Sequence, residues 1–317
     1  MDNFVKKFLK LFDYVKIKNI TKTFQFLGMI ILVYILSTLE YSKIFHILGE
    51  IDLFYLFLHM FSFFLYFFLK VYRFYFILDR YNYKTSFLNV FGATVEAQYF
   101  GFITPSRLGE SIKIVFLEAK ANIPKRVSFV AYIYDRFQDL YFMSTLGLVG
   151  FIFILKLPIN QYLIILLTLL LIVFFIKNYL LEKFSKKLKI KNFSTLNLRS
   201  DFYLLLQNSI IFLFFLLEFY FCALSLGVKI DFFYLSAVAI VGSLSTLIPI
   251  SVSGLGVREG IFIYYLVEVG ILKENAFLIS FLTNFAFLII FTIILHFLYR
   301  IMLKHHQNKE KNYGEIR

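Results

Sequence analysis

Apolar residues run in long blocks separated by short polar, mostly basic, patches. Blocks at about 24–40, 53–78, 161–180, 202–226 and 274–303 match the length a helix needs to cross about 30 Å of hydrocarbon. None alternates with period two, which excludes a β-barrel. A further long helix is predicted over about 127–155, although it carries Asp135, Arg136 and Asp139. Residues 1–22 differ in kind. Phe4, Phe8, Leu11, Phe12 and Val15 recur at helical spacing among six lysines, the pattern of an amphipathic helix on a membrane surface. Two blocks are interrupted. Residues 86–104 run into Pro105, after which Ser106 caps a short helix over about 106–118. Residues 232–248 run into Pro249, and a short helix follows over about 258–270. The predicted fold is all-α, a polytopic membrane helical bundle with two broken or re-entrant helical hairpins.

Composition agrees: 60% of residues are hydrophobic and 17% charged, below the quarter usual in soluble domains. The net charge of +13 lies between the blocks and at the ends, so it reads as topology rather than as nucleic-acid binding. The positive-inside rule puts both termini, Arg80/Lys84, Lys120/Lys125/Arg126 and loop 182–200 in the cytoplasm, with the turns at 40–52, 156–161 and 227–231 outside. The protein is therefore expected in the cytoplasmic membrane. The first block lacks a clear cleavage site and is expected to stay as a membrane helix. One transmembrane domain, 23–303, is expected between the surface segment and a basic tail, 304–317. The lone Cys222 excludes an intramolecular disulfide and a cysteine metal cluster.

The two interruptions resemble each other. Ser106-Arg107-Leu108-Gly109 aligns with Ser253-Gly254-Leu255-Gly256, and Glu110 with Glu259 once Val257 and Arg258 are allowed as extra residues. Around them the order of elements is shared: a full span, a broken pair, a long span, over about 53–155 and 202–303. Charge gives the copies opposite orientations, hence an inverted repeat, an architecture of many secondary transporters. The helix breaks fall on Pro105, Gly109, Pro249, Gly254 and Gly256. Charge parity is satisfied equally by hairpins that re-enter and by hairpins that cross fully.

Charges inside spans are costly and face a bundle interior or a cavity. Arg107, Glu110 and Ser111 share a helix face; so do Asp135 and Asp139, with Arg136 within reach of Asp139. Arg258 and Glu259 are adjacent. One reading is internal neutralisation, Arg107 by Glu110 and Arg136 by Asp139. The other is binding of an anion such as phosphate at the broken-helix N-termini. Glu96, Gln98, Glu218 and Asn284 read as interior polar groups, and Arg73 as a snorkelling cation. No metalloprotease, P-loop, nucleophile-elbow or dinucleotide motif occurs, so neither metal nor cofactor is expected.

"GFITPSRLGESIKIVFLEAK", "YDRFQDL" and "LIPISVSGLGVREG" resemble the lysylphosphatidylglycerol synthase transmembrane-region family, also called flippase-like. Pro105, Arg107, Gly109 and Glu110 fit its first block. Arg136 and Asp139 fit the second, with Asp135 where Glu is commoner, and Pro249, Gly254, Gly256, Arg258 and Glu259 fit the third. Ser106 and Ser253 stand where glycine is usual. The resemblance implies lipid handling, with Arg107, Glu110, Asp135, Arg136, Asp139, Arg258 and Glu259 as substrate-binding residues. The implied substrate is an aminoacylated phospholipid or a lipid-linked glycan. In relatives with both parts a separate soluble domain makes the lipid; its absence here argues against lysyl transfer by this chain. The alternative is a membrane subunit or scaffold for a soluble synthase or glycosyltransferase.

Overall fold

The computed structural model describes residues 20–102, 104, 107–154, 183, 198–246, 251 and 254–314. The surface segment over 1–19, the block at 161–180, most of loop 182–200, Ile103, Pro105, Ser106, Pro249 and Ser253 lie outside the described residues. Every regular element among the described residues is helical, as hydrocarbon demands, because only a helix satisfies its backbone polar groups within one segment.

The chain enters through α1 (Ile20–Ser37), bends by 83° and continues as α2 (Tyr41–Gly49). The acid-rich connection expected at 40–52 thus contains a helix of its own. α3 (Leu53–Arg80) follows, then α4 (Phe87–Phe102), a 3-10 turn (Leu108–Ser111), α5 (Ile112–Ala121) and α6 (Lys125–Ile154). The second half has α7 (Leu198–Ser225), α8 (Phe232–Ser245), α9 (Val257–Glu268) and α10 (Lys273–Phe281). A π turn (Leu282–Ala286) joins α10 to α11 (Phe287–Gly314). By length and composition three spans qualify alone, Leu53–Arg80, Asp201–Ser225 and Lys273–His305, and the bent α1–α2 pair makes a fourth. α6 is long enough but carries the charges described below.

α3 and α7 form the central pair, and they run antiparallel. The Asp52 amide, before α3, donates to the Ser225 carbonyl at the end of α7 (2.9 Å). Further along, Tyr66 meets Phe215 and Phe76 meets Tyr203, with ring centroids 5.8 and 4.8 Å apart. As these helices open the two copies, the copies are inverted. The remaining packing has the same symmetry. Each hairpin's incoming arm, α4 or α8, lies against the long helix of the other copy, α11 or α6. Each outgoing arm, α5 or α9, lies against the long helix of its own copy.

The helix ends repeat as well. α3 ends at Asn82 (φ +60) and α7 at Gly227 (φ +72). In both, the next amide reaches back to close the last turn, Tyr83 to the Leu78 carbonyl and Val228 to that of Ala223. α5 and α9 likewise end at Asn122 (φ +51) and Gly270 (φ +85). Asparagine and glycine are the residues that take this left-handed cap at least cost. Two apolar cores result. One joins α3, α4, α6 and α11 around Phe67, Phe74, Phe91 and Phe291. The other joins α1, α7, α8, α9 and α10 around Ile35, Phe219, Val238 and Phe262.

Candidate functional site

The first hairpin closes on glycine. A Cβ on Gly109 would lie 2.1 Å from the Phe100 carbonyl oxygen, and one on Gly101 would lie 2.4 Å from Glu110 Cγ. The arms therefore touch at the tip, and Glu110 is pressed between them. Thr104 ties the bend: its hydroxyl donates to the Phe100 carbonyl (2.8 Å) and accepts from the Gly109 amide (2.7 Å). Arg107 occupies the left-handed region (φ +53) and its side chain stays about a third exposed. A non-glycine residue there stores local strain.

Behind this tip lies a buried ion lattice. Glu110 accepts from Arg136 Nη1 at 2.7 Å and stands 3.8 Å from Arg107 Nη1. Arg136 Nη2 also reaches Asp139 (3.2 Å) and approaches Asp135 (3.6 Å). Arg73, fully buried, donates through Nε to Asp135 (2.9 Å), through Nη2 to Asp139 (2.7 Å) and through Nη1 to Asn208 Oδ1 (2.7 Å). Lys70 holds the other Asp139 oxygen at 2.9 Å. Lys113 lies 3.5 Å from Asp135 and 4.4 Å over the Phe74 ring. Asn208 donates on to Gln138 (2.9 Å), so the lattice reaches the second copy.

Arg73 is therefore no snorkelling side chain. It sits at the middle of the lattice, because two aspartates one helical turn apart on α6 face it. Internal neutralisation is the arrangement for Asp135 and Asp139, and the expected pair of Arg136 with Asp139 is present, but the pairing of Arg107 with Glu110 differs from that expected. Arg136 bridges Glu110 to the aspartates, and the contact of Arg107 with Glu110 is too long for a hydrogen bond. Lys70 and Lys113 were missed by sequence reasoning. Their spacing to Asp135 and Asp139 carries no signal until α3, α5 and α6 are packed together.

The second tip is built differently. Gly254 and Gly256 have φ of +81° and +84°, which turn the chain into α9. A Cβ on Gly256 would lie 2.0 Å from the Gly28 carbonyl oxygen, so α1 covers this tip closely. Glu259 accepts from the Gly256 amide (2.6 Å) and from the Ser280 hydroxyl (3.2 Å). It thus caps its own helix. Arg258, also buried, meets Glu259 only at 3.6 Å, and its Nε and Nη2 have no hydrogen-bond partner among the described residues. The Ser251 hydroxyl is buried and also has no hydrogen-bond partner among the described residues. The α10–α11 span has no Asp, Glu, Lys or Arg between Glu274 and Arg300, so no lattice forms here.

The two tips converge. Arg107 from the first and Arg258 from the second interact electrostatically with each other and with Glu218 on α7. The structure thus gathers Glu110, Asp135, Arg136 and Asp139 into one lattice, sets Glu259 in a helix cap, and leaves Arg107 and Arg258 within electrostatic reach of each other and of Glu218. Gly109, Gly254 and Gly256 lie at the bends. Among the described residues no group of His, Cys, Asp and Glu is arranged to hold a metal ion.

No curated protein and no solved structure matches the chain. A family model described as the lysylphosphatidylglycerol synthase TM region matches residues 24–294, from within α1 to within α11, and so takes in both hairpins, the ion lattice and the paired arginines. On that match the chain, a multi-pass integral membrane protein, belongs to the lysylphosphatidylglycerol synthase transmembrane-region family, whose name ties it to lipid modification.

Proposed function

We propose that the protein binds a phosphate-bearing polar lipid between its two hairpin tips and translocates it across the cytoplasmic membrane, with both termini in the cytoplasm. The carrying observation is Arg258: a fully buried guanidinium with two nitrogens that lack a hydrogen-bond partner among the described residues, within electrostatic reach of a second arginine from the opposite hairpin. A buried charged donor without a partner costs more than the ~1–3 kcal/mol of a neutral one, and an anionic headgroup removes that cost. The guanidinium fork pairs two phosphate oxygens at once, which a lysine cannot copy.

The rest of the site supports this reading. The first tip is held by ions and the second by hydrogen bonds to neutral groups, so the lattice serves as a rigid wall. Arg107, about a third exposed, is placed to receive a headgroup and Arg258 to hold it. The inverted repeat lets either tip face its own side of the membrane while a headgroup between them is passed on. A second reading, a membrane subunit that recruits a soluble enzyme, has one observation in its favour: α11 runs on to Gly314, past the end of its span at His305.

The test is the lipid retained through purification. Wild-type protein should carry acidic phospholipid enriched over the bulk membrane. Arg258→Gln should lose that enrichment by roughly tenfold, the equivalent of one charge-assisted contact of ~1.5–3 kcal/mol. Lipid of bulk composition in both proteins would contradict the proposal.

A further inference from the structure

Glu218 is the one carboxylate at the junction of the tips that the arrangement above leaves without a task. It is buried near the middle of α7, and its side chain makes no hydrogen bond or ion pair among the described residues. The repeat sharpens this. Glu218 precedes the Gly227 cap by the same distance as Arg73 precedes the Asn82 cap, so it is the counterpart of the lattice's central arginine. Arg73 is met by two aspartates on α6, whereas the corresponding long span, α10–α11, brings no charged side chain to Glu218.

The groups that face Glu218 are few. Arg107 comes from the first tip and Arg258 from α9. Glu259, also on α9, is occupied by the Gly256 amide and Ser280. On α3 the only ionisable groups before Lys70 are Tyr55, His59 and Tyr66, and His59 uses Nδ1 on the Glu218 backbone carbonyl (2.9 Å). Cys222 lies one turn on along α7. Residues 140–150 of α6 bear no charge, and α8 bears none along its length.

We infer that Glu218 is a proton carrier: it balances Arg107 and Arg258 as a carboxylate while the site is empty, and takes up a proton when an anionic headgroup occupies the two arginines. The inference rests on the headgroup-binding reading of the same site. An isolated buried carboxylate is tolerated only beside opposite charge, and a bound phosphate claims that charge for itself. The balance is one proton gained by the Glu218 carboxylate per headgroup bound and one released when the headgroup leaves. No bond to the lipid forms or breaks. Reciprocity then makes acid pH favour binding, so affinity falls as pH rises through the range in which Glu218 ionises. A protein built this way draws protons along with its lipid and can be driven by a proton gradient.

The test is calorimetric titration of the purified full-length protein in detergent with dihexanoyl-phosphatidylglycerol. Its phosphodiester stays ionised over the range used, about pH 5–8. Repeating the titration in two buffers of different ionisation enthalpy counts the protons taken up. Wild type should take up close to one proton per lipid over part of that range, with affinity falling by up to about tenfold per pH unit there. Glu218→Gln should bind the probe with no uptake and no pH dependence, and Glu218→Asp, which keeps a titrating carboxyl, should retain both. Binding without proton uptake in wild type would overturn the inference and leave the headgroup-binding reading standing. Equal uptake in Glu218→Gln would also overturn it, moving the proton elsewhere, with His59 the nearest other carrier. No binding by wild type would overturn both.

Discussion

Replacing Arg73 by methionine tests whether the ion lattice is the frame on which the first hairpin rests. Methionine keeps the length and apolar stem of the side chain and removes only the guanidinium. The loss falls unevenly. Asp139 would keep Lys70 at 2.9 Å and Arg136 at 3.2 Å. Asp135 would keep only Lys113 at 3.5 Å and Arg136 at 3.6 Å, both beyond good hydrogen-bond length. Asn208 would lose its 2.7 Å donor and retain its bond to Gln138. Removing one partner of a buried pair costs ~3–5 kcal/mol, because it leaves a charge buried without compensation. That whole range is therefore expected for Arg73→Met, most of it from Asp135. Adding Asp135→Asn should recover about 2 kcal/mol, within the usual range of coupling between contacting residues. Equilibrium unfolding in mixed micelles measures both. A single mutant within about 0.5 kcal/mol of wild type, or a double mutant no better than the single, would refute the framing role.

Further outcomes can be checked on the same protein. Gly109→Ala and Gly256→Ala should each destabilise by at least ~2 kcal/mol, since the added methyl would meet backbone oxygen at 2.1 and 2.0 Å. Gly49→Ala, with nothing within 4 Å, should be neutral in the same unfolding assay. In a Cys222→Ser background, cysteines at Phe76 and Tyr203 should be joined by a short bifunctional thiol cross-linker, whereas cysteines at Phe54 and Tyr203 should not; the reverse would contradict the antiparallel central pair. In the same background, Lys229→Cys should react with an impermeant thiol reagent from outside intact cells and Lys120→Cys should not; labelling of position 120 would reverse the proposed orientation.

The hairpins were legible because proline and glycine interrupt apolar runs at two places with the same Ser-x-Leu-Gly signature. The inversion could be read from lysines and arginines, and the antiparallel contact of α3 with α7 agrees with it. The matching helix ends were not legible, because one copy uses Asn82 and Asn122 where the other uses Gly227 and Gly270. Physically these are one signal, a left-handed cap, but in letters they are two. α2 was missed because its nine residues sit among Glu40, Lys43 and Glu50, and such charge density reads as a loop. Arg73 looked like a snorkelling cation because a basic residue in a span has that explanation ready to hand, and its partners lie on other helices. Arg258 and Glu259, being adjacent, point in different directions around their helix. The structure gives the glutamate to the helix cap and holds the arginine 3.6 Å from it, too far for a hydrogen bond.

Translocation by the paired arginines is measured most directly in vesicles that hold the purified protein and a fluorescent phosphatidylglycerol in both leaflets. An impermeant quencher added outside removes the outer signal at once. With wild-type protein the inner signal should follow, as lipid is carried outward to the quencher. With Arg107→Lys or Arg258→Lys, which keep the charge but lose the two-oxygen fork, most of that second phase should vanish, a slowing of tenfold or more for ~1.5–3 kcal/mol. An inner signal that persists with wild-type protein would contradict the account. So would unchanged translocation by both variants, or activity restored to Arg107→Gln by adding Glu110→Gln, which would mark Arg107 as a mere counter-ion.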